Sequence, residues 1–396
     1  MPDYGESRRP SRPGAPTNLP AAQSQKNLQD RAIRDLRVQG NLAFGLTQNS
    51  LLTLDLSQPS QLKAVSQLPL PGVAQALDVT ETHAFVACGP GGLQVVDCSD
   101  PSQPRKVSAW EPDLDRQQVQ AVAVQNGMAY LAVKTAGLVV MDVSDPKNVK
   151  PVTVLSDQVP DAERVVAVGS RLYLLEPGLT VLDVSDPTKP QKLEELGAQR
   201  RTYDLGVWQD YVVSLTSLGL QVLDLSDLEK VRRIAQYETK PSAALETKRS
   251  APARVSLPPA GTEATGKEGK AAAIGGRSDA GLPSPRGNSS RNQKPAAKGK
   301  ATVNPPSAAP PQNRRVAIYG HYAYLARETE GLWIVDLQGQ ETLQRVGTVG
   351  DLGTVTCCAL HGAALLVGNR EGGIFLLSLK NPQEPQVVGR FEVGGK

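Results

Sequence analysis

The sequence predicts an all-β fold: a seven-bladed β-propeller of four-stranded repeats, with a disordered amino-terminal tail and a disordered basic insertion. Three observations predict it. A motif, Gly-Leu-x-Val-Val-Asp-Val-Ser-Asp-Pro, recurs with drift seven times in 396 residues. Its acidic positions are Asp55, Asp97, Asp142, Asp183, Asp224 and Asp336, with Ser378 in the last copy, at intervals of 42, 45, 41, 41, 112 and 42 residues. Each period holds four short apolar, β-branched runs between turn signals, and no helical 3.6-residue period persists. Four strands in a period of about 42 residues match one propeller blade. A lone four-stranded sheet cannot bury both faces, whereas seven arranged around an axis bury them against one another.

Taken in order, the tail spans 1–32. Blades follow at 33–70, 71–113, 114–158, 159–197 and 198–237. An insertion fills 238–313, and two further blades of the same domain occupy 314–350 and 351–396. Blade 3 illustrates the unit. Ala121–Val124 is an inner strand, Gln125-Asn126-Gly127 a turn, Ala129–Ala132 a second strand with Tyr130, Leu138–Val143 a third, and Val152–Leu155 a fourth. Glycine before the third strand permits the positive φ of a tight turn. Asp and Ser accept bonds from nearby backbone N–H groups, and Pro presets φ, so Ser-Asp-Pro reads as a hairpin corner. The repeated aspartates are thus expected to form turns and not to act as ligands or acids.

The run Gly-Leu-x-Val-Val-Asp-Val-Ser-Asp-Pro-x-x-Pro, best at Gly92–Pro104, Gly137–Pro146 and Gly178–Pro190, resembles the LVIVD repeat. Repeats 1, 5, 6 and 7 depart from it: Ser50 replaces Gly, Leu228 replaces Pro, and the last two corners are degraded. The resemblance implies a propeller strongly and a function weakly. It also implies a prokaryotic origin and a cell-surface or periplasmic setting, whereas the polar start Met1–Gly14, with no apolar stretch behind its arginines, reads as cytoplasmic.

Charge is unevenly spread. Of the net +3, residues 238–315 carry +9, residues 1–32 carry +2 and the remainder −8. The insertion has no aromatic residue but eleven Pro and eight Gly, too little apolar surface to offset ordering entropy. Its charge suits an anionic surface, nucleic acid, an acidic protein or the body itself. Lacking aromatics, it is not expected to read nucleic-acid sequence. No apolar run is long enough for a transmembrane helix.

Catalytic signatures are missing: no HExxH, GxSxG, P-loop or strand-led GxGxxG occurs. His83, His321 and His361 fall in separate turns, and Cys88, Cys98, Cys357 and Cys358 lack metal spacing. The inner strands, exemplified by Ala121–Val124 and Val165–Val168, offer almost no titratable side chains to the axis. No cofactor, metal or enzymatic activity is expected. The expectation is an interaction scaffold that meets a protein or surface partner through its loop-rich face, with Trp110, Arg200, Arg201, Tyr203 and Arg370 as interface candidates, since Trp and Arg are enriched in interface hot spots. The alternatives are a funnel-binding enzyme or small-ligand binder, and electrostatic attachment through the insertion.

Overall fold

The computed structural model describes residues 30–112, 117–156, 159, 162–175, 178–196, 201–217, 219–227, 230–238, 315–339 and 341–394. The disorder expected of the tail and of the insertion falls on residues that lie, but for a few at their edges, outside this set.

Blade 1 comprises β1 (Asp35–Gln39), β2 (Leu42–Leu46), β3 (Ser50–Asp55) and β4 (Lys63–Pro69). Blade 2 has β5 (Ala76–Val79), β6 (His83–Ala87), β7 (Leu93–Asp97) and β8 (Arg105–Trp110). Blade 3 has β9 (Gln118–Gln125), β10 (Met128–Lys134), β11 (Gly137–Asp142) and β12 (Lys150–Leu155). Blade 4 has β13 (Arg164–Val168), β14 (Arg171–Leu175), β15 (Leu179–Asp183) and β16 (Gln191–Leu196). Blade 5 has β17 (Thr202–Trp208), β18 (Tyr211–Thr216), β19 (Gly219–Asp224) and β20 (Arg232–Glu238). Blade 6 has β21 (Val316–Tyr319), β22 (Tyr322–Ala326), β23 (Leu332–Asp336), the short β24 (Glu341–Thr342) and β25 (Gln344–Val349). Blade 7 has β26 (Val355–His361), β27 (Ala364–Asn369), β28 (Gly373–Ser378) and β29 (Gln386–Glu392).

Each blade is an antiparallel meander whose innermost strand comes first in sequence. One departure from four strands has a local cause. The corner after β23 reads Leu337-Gln338-Gly339 and lacks Ser-Asp-Pro. The chain runs outward there, and β24 adds to the edge of β20 in parallel, making the blade 5 sheet five-stranded. Leu343, 1% exposed, anchors it, and its N–H donates to the Gln236 carbonyl at 2.8 Å.

The repeated residues do what their chemistry suggests. At the corners, Asp97 Oδ1 accepts from the Ser99 N–H at 3.0 Å and from its hydroxyl at 2.6 Å. Asp142, Asp183 and Asp224 repeat this with Ser144, Ser185 and Ser226. These bonds favour the anion and hold all four carboxyls below the usual range. Glycine before the third strand answers a close approach. A Cβ on Gly92 (φ +70°) would lie 2.0 Å from the Trp110 carbonyl, and one on Gly137 (φ +78°) 2.3 Å from that of Leu155.

The core is laid between blades. Phe44, Leu46 and Leu51 of blade 1 pack with Leu77, Val86 and Val96 of blade 2. Leu36 and Leu52 pack in the same way with Leu366 and Ile374 of blade 7. The ring therefore closes by packing, with no exchange of strands: β29 is the outer strand of a sheet drawn wholly from 355–392. Ile33, completely buried, seals the joint. Its N–H donates to the Asn369 carbonyl at 2.9 Å, and its carbonyl accepts from the Thr356 hydroxyl.

Candidate functional site

The innermost strand of each blade has one unpaired edge, which leaves N–H groups that need acceptors. Aspartates supply some of them across blade boundaries. Asp35 Oδ2 accepts from the Leu77 N–H at 3.2 Å, Asp78 Oδ2 from the Val124 N–H at 2.8 Å, and Asp204 Oδ2 from the Val316 N–H at 2.9 Å. In each case the carboxylate lies on one blade and the donor on the next.

Arginines complete the arrangement. Arg37 Nη1 lies 2.9 Å from Asp35, and its Nε 3.4 Å from Asp78. Arg315 reaches Asp35 at 2.6 Å and Asp204 at 3.7 Å, while Arg164 holds Asp204 at 3.1 Å. The carboxylates of Asp35 and Asp204 and the guanidinium of Arg315 are almost fully buried. Burial pushes the Asp204 carboxyl up, against the opposing pull of Arg164 and the Val316 N–H. Burial would depress Arg37, but the carboxylates of Asp35, Asp78 and Asp204 outweigh it and raise its pKa.

This network corrects the expectation that inner strands bring almost no titratable groups to the axis. Asp35, Arg164, Asp204 and Arg315 occupy the same repeat position, each in register, across the second strand, with the residue four before the corner position of its blade. In the other three blades that position holds Ala76, Ala121 and Cys357. The expectation rested on Ala121–Val124 and Val165–Val168, which sit in the uncharged blade or begin one residue past Arg164. A charge inside an otherwise apolar inner strand, as in Asp35-Leu36-Arg37 and Leu77-Asp78-Val79, was the available signal.

The face that carries the blade-to-blade connections also carries the turns between second and third strands; we call it the connection face. The interface candidates lie along it on separate blades. Trp110, at the end of β8, is half-buried and packs against the core shared by blades 2 to 4. Arg201 is paired with Glu163 of the preceding blade connection and lies with its guanidinium carbon 6.0 Å from the Tyr203 ring centre. Arg370 approaches Glu328 at 3.9 Å, joining blade 7 to blade 6. Only Arg201 and Tyr203 of the set are brought together; Arg200 lies outside the described residues. Among the described residues no three His, Cys, Asp or Glu side chains are grouped to hold a metal ion, and the four cysteines are free and buried. No helix among them is long and apolar enough to cross a membrane.

Comparison with known proteins agrees with this geometry. The family model described as the LVIVD repeat matches residues 30–68, 71–110, 117–152, 161–195 and 312–337. No curated protein matches the chain. Among solved structures, the computationally designed Ika8 protein is similar with a TM-score of 0.54 at 10% identity, over 91% of this chain and 87% of its own. PorZ of Porphyromonas gingivalis, a bacterial surface component of the type-IX secretion system, is similar with a TM-score of 0.52 at 12% identity, over 92% of this chain. The chain spans 39% of PorZ, and both likenesses are of fold alone. With five matched repeats and seven sheets around one axis, the chain is a seven-bladed β-propeller built on LVIVD repeats.

Proposed function

We propose that this protein is a non-enzymatic interaction scaffold, a rigid ring that meets a protein partner on its connection face. The observation that carries this reading is how the axial charges are used. Asp35, Asp78 and Asp204 are bound to Arg37, Arg164 and Arg315 and to edge N–H groups of neighbouring blades. Groups so engaged serve blade-to-blade cohesion, whereas an acid, base or nucleophile needs a free lone pair or proton beside a substrate. Recognition then falls to the connection face, whose irregular loops present Arg201, Tyr203 and Arg370. The ion pairs Arg201–Glu163 and Arg370–Glu328 tie neighbouring blades there and limit the ordering cost of binding.

The test places a photo-crosslinking residue at Arg370 and, separately, at Lys147 on the opposite face, in the native host. The reading expects a discrete protein adduct from the Arg370 position and none from Lys147. Adducts confined to Lys147, or turnover of a metabolite by the purified chain, would contradict it.

A further inference from the structure

At the mouth of the axis on the connection face, one cation, Arg34, is left over among the described residues. Arg34 precedes β1 and sits one residue above the Asp35 level. Deeper in the axis, three guanidinium groups (Arg37, Arg164, Arg315) face three carboxylates (Asp35, Asp78, Asp204), so those layers are neutral. Arg34 has no carboxylate within ion-pair distance among the described residues. Its contacts are neutral oxygens at long range: the Ala74 carbonyl at 3.5 Å, Gln75 Oε1 at 3.5 Å and Gln48 Oε1 at 3.2 Å. Charge-assisted bonds to a carboxylate run near 2.7–2.9 Å, so these donors are under-used. Desolvation lowers the pKa of the guanidinium, with no carboxylate to offset it.

The surroundings limit what would complete it. Gln48 lies in the turn between β2 and β3, and Gln75 in the connection leading to β5, so the cluster spans the joint between blades 1 and 2. The joint is held by backbone, the Ala74 N–H donating to the Gln48 carbonyl at 2.8 Å. Both glutamines bring an amide that can rotate to donate instead of accept. One guanidinium fork flanked by two amides matches a planar carboxylate. The charge count matches a monoanion: one negative charge neutralises the Arg34 guanidinium, and the layers below it are already paired.

We propose that Arg34, with Gln48 and Gln75, forms a binding site for a single carboxylate at the axial mouth of the connection face. The carboxylate belongs to a small acid or to the end of a polypeptide, and the site stands whether or not the same face binds a macromolecule.

The test uses the full chain at constant ionic strength. Thermal unfolding is followed against acetate, with acetamide as the uncharged isostere, and against a short peptide with a free C-terminus, with its amidated form as control. A ligand bound only by the folded state raises the unfolding temperature with concentration. Acetate is expected to do so and acetamide not, with Arg34→Gln weakening the effect about tenfold, the factor for one charge-assisted bond. An effect of the free peptide alone, also lost in Arg34→Gln, supports the site and assigns it to polypeptide ends. Indifference to both probes, or an equal effect in Arg34→Gln, overturns the proposal. A second arm covers a variant that fails to fold. Because Arg34 is uncompensated, Arg34→Met is expected to leave the unfolding temperature unchanged or raised, whereas Arg315→Met lowers it. Equal losses in the two variants would mark Arg34 as structural and overturn the site.

Discussion

The guanidinium of Arg315 lies 2.6 Å from the carboxylate of Asp35, although one residue opens blade 6 and the other opens blade 1. Blade 7 stands between them in the ring. Its residue at the same repeat position is Cys357, small enough for the pair to meet past it. Burial pushes the Cys357 thiol up and keeps it protonated, so it adds no charge to the network. The pair has its full burial only in a closed circle.

Removing one partner strands a buried charge, and such losses cost about 3–5 kcal/mol. Arg315→Met is therefore expected to destabilise by roughly this amount in urea unfolding, because Asp35 and Asp204 both lose a partner. Arg105→Met, which removes an exposed corner pair with Asp97, is expected to cost well under ~1 kcal/mol. Similar losses in both variants would argue against a buried network.

Ring closure also depends on a glycine. A Cβ at Gly389 on the outer strand of blade 7 would lie 1.9 Å from the Pro59 carbonyl of blade 1. Gly389→Val is expected to cost about 1–3 kcal/mol or more by forcing the joint apart. Gly362→Ala, at a turn with φ +54° and nothing within 4 Å, is expected to cost only about 1 kcal/mol through its backbone. Thermal unfolding of the two variants compares them; a smaller loss at Gly389 would contradict closure by packing of blades 7 and 1.

The corner aspartates give a pH dependence whose sign is fixed. The Asp142 pKa is lowered in the fold, first by the Ser144 hydroxyl and then by the Ser144 N–H. The stability this contributes is present above the ordinary aspartate pKa and is lost as pH falls through the lowered value. Ser144→Ala removes the hydroxyl and is expected to move the Asp142 midpoint upward in a carboxyl-carbon NMR titration. Asp204 has the opposite sign. Its raised pKa lowers stability as pH climbs from the ordinary aspartate value through the raised one. An unmoved Asp142 midpoint would show that its hydroxyl bond does not persist in solution.

The fifth strand of blade 5 is held by one apolar side chain. Leu343→Ala is expected to cost about 2–4 kcal/mol and to speed hydrogen exchange along β24. Unchanged exchange at Glu341–Leu343 would mean that the strand is not docked on β20.

The blades were legible because local chemistry repeats. Gly before the third strand, the aspartate that ends it and Ser-Asp-Pro after it each satisfy a turn within a few residues. Where the corner degrades, at Leu337-Gln338-Gly339, the added β24 was not foreseen, because its partner β20 lies some hundred residues earlier in the chain. The axial network escaped for a related reason. Asp35, Arg164, Asp204 and Arg315 share a repeat position but not a charge sign, so no motif registers them. Their partners are set by the closed ring and not by nearby sequence. Trp110, an interface candidate by its residue type, packs half-buried against the core shared by blades 2 to 4, a contact made across blades that its own neighbours in sequence do not announce.

The measurement that bears most directly on the ring is a double-mutant cycle on Asp35 and Arg315, with Asp35→Asn, Arg315→Gln and both together, read by urea unfolding. Two residues on blades that are not neighbours couple only if seven blades close around one axis. The account predicts a coupling above about 1 kcal/mol, the double variant losing clearly less than the sum of the single losses. Additive losses, within about 0.3–0.5 kcal/mol, would contradict it.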